Sequence, residues 1–309
     1  MRTSADFSST IATYFVLGVL ALINWLKVKL QYILPKHALS RLVGALAAAE
    51  YGRVTTTIIR AFIKQFNVDM SEAQHENPEH YTSFNAFFTR QLKDGLRPFS
   101  DDSQELGHAV DGTVSQLGLI KGDTIFQAKG HHYSLTALLG GDATVAAPFK
   151  GGDFATIYLS PRDYHRIHMP MTGKLTDMIY VPGELFSVNP ITAQNVPGLF
   201  ARNERVVAIF DTEIGKMAIV LVGATIVASI ETIWAGNVTP PAGKHVTHWQ
   251  YTDASGDSVT LQKGEEMGLF KLGSTIVACF EPNKVDFGEL AAEDVTRLGQ
   301  PFATIKSND

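Results

Sequence analysis

From about Gly107 to the C-terminus the chain is built of short apolar, β-branched runs cut by glycine, and this texture constrains the fold more than any other feature. Gly112–Gly118, Phe154–Leu159, Lys174–Val181, Arg205–Phe210 and Met217–Ile230 are its clearest runs. Regular turn signals between runs of this length predict a β-rich sandwich or hybrid barrel. A glycine-then-strand cadence at Asp111-Gly112-Thr113-Val114 and Thr172-Gly173-Lys174-Leu175 returns between Leu298 and Ile305, which hints at internal repetition.

The N-terminal third reads differently, and the whole is therefore of α+β class. Ile11 to Leu26 is a nearly unbroken apolar run of 16 residues, while a full bilayer crossing needs about 20. Lys27, Lys29, Lys36 and Arg41 follow it and only Arg2 precedes it. That basic flank is on the wrong side for a cleaved signal peptide and would keep the C-terminal bulk cytoplasmic. The run is expected to span the membrane or lie in its interface. Val28–Leu34 continues it in amphipathic fashion until Pro35, giving a membrane-associating segment over residues 1–35. His37–Glu50 and Thr55–Phe66 read as two further helices within a helical collar over residues 36–105, either ordinary packing helices or ones resting on lipid headgroups. Ser71–Pro98 is expected to be helical around Ser83–Arg90 with Ser83 as N-cap, closed by Arg97-Pro98. Asp101-Asp102-Ser103 marks the boundary of a β-rich domain over residues 106–309.

Composition excludes some functions. The net charge is −5 and no basic block suggests nucleic acid binding. The only cysteine, Cys279, sits in an apolar strand pattern; this rules out an intrachain disulfide and a multi-thiolate metal site and assigns it to the core.

Three polar features could carry chemistry. Ser274 follows Gly273 at the mouth of the apolar run Ile276–Phe280, and a serine on such a turn can attack the preceding carbonyl because glycine has no Cβ to block the approach. Read alone, the pair is an ordinary turn before a strand. Ser160–Pro170 is bracketed by prolines and holds His165 and His168 three apart, on one side of an expected helical turn. Zinc binding, acid/base work and two loop histidines are the readings of that pair; the usual metal pattern is absent and no metal is expected. Asp111, after Ala109-Val110 and before Gly112, is either an Asx turn or a carboxylate that orients a histidine. His131-His132 is left without a role.

Gly264–Thr275, Tyr158–Pro170, Val110–Leu117, Tyr180–Val188 and Ala193–Arg205 together resemble the bacterial, pyruvoyl-dependent phosphatidylserine decarboxylase family. The likeness runs in order from about Leu30 to the C-terminus; the first 25 or so residues do not share it. The resemblance implies a charge relay of Asp111, His168 and Ser274 that cuts the chain between Gly273 and Ser274. It implies a β chain of residues 1–273 and an α chain of 309 − 273 = 36 residues, 274–309. Ser274 becomes a covalent pyruvoyl group, which forms a Schiff base with the amine of phosphatidylserine and accepts electrons as CO₂ leaves. His165 is placed in the decarboxylation, near the substrate carboxylate or as proton donor. The implied product is phosphatidylethanolamine. The implied setting is the inner membrane with the catalytic domain on its cytoplasmic side, as a β/α heterodimer that could dimerise further. The rivals are a pyruvoyl decarboxylase of a soluble amino acid, a serine hydrolase, and a non-catalytic lipoyl-like membrane adaptor whose chain stays intact.

Overall fold

The computed structural model describes residues 22, 25–225, 229–239, 243–252, 256, 258–271 and 273–306. Most of the expected Ile11–Leu26 run therefore lies outside the described residues. No helix among those described is long and apolar enough to cross a membrane.

Residues 25–33 are helical (α1) and lead into α2 (Lys36–Ala48) and α3 (Arg53–Phe66). The two helices expected over His37–Glu50 and Thr55–Phe66 are thus present with shifted ends. α3 stops where Asn67 adopts a left-handed conformation (φ 53°), which asparagine tolerates better than most residues. One face of α3 buries Ile59 against Tyr81, Phe87 and Phe88, while Val54 and Ile58 on the other face are exposed. The third helical stretch is shorter than expected. Only Phe84–Phe88 (α4) is α-helical, and Ser83 caps it by accepting from the Ala86 N–H.

The region after α4 is organised on a nine-stranded antiparallel sheet. Its central strands are β1 (Gly112–Leu119), β2 (Asp153–Leu159), β4 (Gly173–Val181), β5 (Arg205–Thr212), β6 (Gly215–Val222) and β9 (Ser274–Phe280). They lie in the order β4-β5-β6-β9-β2-β1, so β9, from late in the chain, is inserted between two strands from earlier in it. A second sheet joins β3 (Arg166–His168), β8 (Glu266–Phe270) and β7 (Ile230–Thr232). The long run Met217–Ile230 is therefore two strands in two sheets, broken after Val222.

Both faces of the main sheet are covered. On β9, Ile276, Ala278 and Phe280 join one core and Val277 and Cys279 the other. A strand buried on both faces reads as an unbroken apolar run, which is how the sequence shows it. The glycine cadence opens strands at Gly112 and Gly173 in the main sheet. Its third member, Pro301–Ile305, lies in a separate three-stranded sheet with Glu105–Gly107 and Val285–Asp286.

Candidate active site

Ser274 is the first residue of β9, paired with Leu159 of β2, and it is fully buried. Its Oγ has no hydrogen-bond partner among the described residues. An unmade bond on a buried hydroxyl costs about 1–3 kcal/mol, so its persistence in the interior asks for a chemical reason. Gly273 borders a cavity of about 250 Å³ walled by Phe62, Phe66, Phe88, Tyr158 and Pro161, with Ser187, Asn189 and Thr225 as polar groups. A Cβ at Gly273 would meet no atom within 4 Å beyond its chain neighbours.

His165 is also fully buried, and its ring stacks on Phe88 with centroids 4.1 Å apart. Its Nε2 lies 3.0 Å from the Ser160 carbonyl oxygen. A carbonyl can only accept, so Nε2 carries the proton and Nδ1 presents a lone pair, which has no partner. Burial, reinforced by the nearby Arg90 cation, lowers its pKa to about 3. At neutral pH it is an uncharged imidazole with a free acceptor nitrogen. Ser274 and His165 converge on one corner: Ser274 pairs with Leu159, and the His165 ring hangs from the carbonyl of the next residue, Ser160.

His168 points elsewhere. The segment expected as a helical turn is extended (β3), and its ladder runs from His168 opposite Glu266 to the bond between the Phe270 N–H and the His165 carbonyl. Alternation along a strand sends residues three apart to opposite faces, so the shared side predicted from helical spacing is corrected. His168 donates from Nδ1 to the Gly264 carbonyl at 2.8 Å and accepts at Nε2 from the Tyr164 hydroxyl at 3.3 Å. Burial lowers its pKa, against the opposing pull of the Gly264 carbonyl and the charges of Glu266 and Asp111.

Asp111 is buried where the chain enters β1. Arg97 grips it side-on, Nε to Oδ1 at 3.1 Å and Nη2 to Oδ2 at 2.8 Å, and the Leu298 N–H adds a bond of 2.7 Å to Oδ1. Arg97 Nη2 also reaches Glu72 at 2.7 Å, and Arg297 holds the other oxygen of Glu72 at 2.6 Å. The backbones of the two expected partners are close, since the His168 N–H donates to the Ala109 carbonyl. Among the described residues no hydrogen bond joins the side chains of Asp111 and His168, or either to Ser274. His131 and His132 lie on a separate two-stranded hairpin.

Sequence reading missed Phe88, Arg90 and Arg97. Arg97 carried a signal only as part of an Arg-Pro helix stop, and nothing in linear spacing ties it to Asp111.

Against this geometry stand the comparisons with known proteins. The family model described as phosphatidylserine decarboxylase matches residues 84–304, and one described as PSD matches residues 26–67. The chain is 68% identical over 287 residues to the phosphatidylserine decarboxylase proenzyme of Alteromonas mediterranea, covering 93% of this chain and 88% of that protein. It is 67% identical over 280 residues to the proenzyme of that name from Pseudoalteromonas atlantica, covering 91% and 98%. The Shewanella baltica proenzyme is 65% identical over 282 residues, covering 91% and 97%.

Proposed function

The chain belongs to the phosphatidylserine decarboxylase family and is a carboxy-lyase, and we propose that it matures by cutting itself between Gly273 and Ser274 to create a pyruvoyl group from Ser274. The observation that carries this reading is the buried, unpartnered Ser274 hydroxyl, opening a central strand directly after a glycine. A histidine takes the Oγ proton, Oγ attacks the Gly273 carbonyl carbon, and the amide nitrogen leaves with a proton to give an ester. Loss of a Cα proton from residue 274 expels the Gly273 carboxylate, and water then releases ammonia from the dehydroalanine and leaves the ketone. The surroundings fit such a group: residue 274 is fully buried, and among the described residues the cavity bordered by Gly273 is lined by no charged side chain. When formed, it supplies a carbonyl that takes the substrate amine and draws off the electron pair left by CO₂. The substrate we assign is phosphatidylserine and the product phosphatidylethanolamine.

His168, supported by Asp111, is assigned to the cut and His165 to turnover. A second reading has an observation of its own. His165 offers an acceptor without a donor, and Ser274 a donor without an acceptor, at the same corner of the sheet. On that reading His165 is the base for the cut.

For location we assign the cytoplasmic face of the inner membrane. Supporting it are the exposed apolar side chains Trp25, Leu30, Ile33, Leu46, Val54 and Ile58 on α1 to α3, with Lys27, Lys29 and Arg41 among them. The cavity at Gly273 is walled by Phe62 and Phe66 of α3, so a lipid reaching it from that surface has a short path.

Intact mass and a gel on three variants test the whole. Ser274→Ala is expected to give one uncut, inactive chain, and two normal fragments from it would refute self-cleavage at this bond. His168→Ala is expected to stay uncut, while His165→Ala is cut but loses on the order of a hundredfold in CO₂ release. The reverse pattern selects the second reading.

A further inference from the structure

The ion pairs that Arg97 and Arg297 make with Asp111 and Glu72 serve no step described above, yet they hold the carboxylate assigned to maturation. Its geometry is that of a restraint. Arg97 pairs with Asp111 through two parallel N–H···O bonds, and the two side chains are only 8% and 12% exposed. With the Leu298 N–H, three of roughly four acceptor positions on the Asp111 carboxylate are filled. A carboxylate paired with a guanidinium lends a weaker field to an imidazolium nearby than a free one would. His168 is held on its own side: its Nδ1 proton is given to Gly264, so it cannot donate to Asp111 without leaving that carbonyl. Arg97 and His168 line one cavity of about 270 Å³, from which Arg97 reaches Asp111.

We propose that Arg97 is a brake on self-cleavage, a positioning residue that holds Asp111 off His168 in the uncut chain and releases it by shifting onto Glu72. This rests on reading Asp111 and His168 as the cleavage pair. Glu72 is already the second seat, with Oε2 2.7 Å from the same Nη2 that holds Asp111. It lies on the segment just after α3, the collar helix with the exposed apolar face, so the position of the collar bears directly on the brake. Arg297 competes for Glu72, and it belongs to the part of the chain beyond the cut. The restraint thus ties together the collar, the entry to β1 and the C-terminal segment.

The test is a time course of fragment formation by the full-length chain, translated in vitro with phospholipid vesicles present. Arg97→Gln is expected to cut faster, by about tenfold, the equivalent of one pK unit in the strength of the base. Arg97→Lys keeps a point charge on Asp111 and is expected to fall between that variant and the unmodified chain. Glu72→Gln weakens the second seat and is expected to cut more slowly. A merely structural role for Arg97 gives the opposite sign, because a loosened site cuts more slowly. Arg97→Gln that cuts at the ordinary rate or slower, while Asp111→Asn stays uncut, overturns the brake and makes Arg97 a support. Asp111→Asn that cuts normally instead removes the underlying cleavage pair. If Arg97→Gln does not fold, Glu72→Gln decides, and cleavage by it as fast as the unmodified chain or faster overturns the proposal.

Discussion

Acid should unfold the uncut protein through its buried histidines, by an amount the structure lets one work out. His165 and His108 are both enclosed, and burial lowers their pKa values to about 3 and about 4 from the ordinary 6.5. For His108 the nearby Asp111 charge opposes the shift without reversing it. A depressed folded pKa means that the unfolded chain binds more protons. The stability is fully present above about pH 6.5 and is lost as pH falls toward the folded values. At pH 5 each unfolded histidine is 6.5 − 5 = 1.5 units below its pKa, and both folded ones are still neutral. At 1.36 kcal/mol per unit, each costs about 2 kcal/mol and the pair about 4 kcal/mol relative to pH 7.5. The sum at pH 5 is insensitive to the folded values, since both lie below that pH. The assay is urea unfolding of the Ser274→Ala chain, followed by tryptophan fluorescence from pH 7.5 to 5. His108→Phe, which keeps a ring beside Phe302, should remove about half of the part of the slope that His165 and His108 carry together. A stability that stays level over this range, or a His108→Phe slope equal to that of its parent, would refute the reasoning.

Two other outcomes follow from packing and from surface. A Cβ at Gly112 would sit 2.5 Å from the Tyr158 carbonyl oxygen, so Gly112→Ala must push β1 off β2; a loss of about 1–3 kcal/mol is expected, with slower self-cleavage, and an unchanged melting temperature would contradict it. Val54 and Ile58 are 57% and 51% exposed, so replacing both with glutamate should leave the fold intact while weakening flotation with vesicles; undiminished flotation would move the membrane surface away from α3.

The strands were legible because glycine turns and β-branched runs are local signals, and Ser274 at the mouth of β9 was read from the residues on either side of it. The run from Met217 to Ile230 misled because its apolar character continues across a change of sheet. The histidine pair misled for a different reason. Spacing of three has opposite meanings in a helix and a strand, and the bracketing prolines fit either. Asp111, His165 and His168 could be picked out by motif, but their partners could not. Arg97 comes 14 residues before Asp111, Glu72 lies further back, and Leu298 is on the far side of the cut. Contacts set by tertiary packing leave no periodic trace in the chain.

The place of β9 in the sheet fixes the order of events in this molecule's life. It is paired over six register positions with β2 on one side and six with β6 on the other, and every one of its seven residues is buried. While the chain is whole, the arrival of such a strand between its two neighbours is a loop closure within one molecule. If maturation cuts the peptide bond before it, as proposed, unfolding then releases two polymers. Recovery then becomes an encounter in solution, slower the more dilute the protein. The fragments stay together because neither can leave without exposing the centre of the sheet, and a molecule that has melted after maturation has no unimolecular road back.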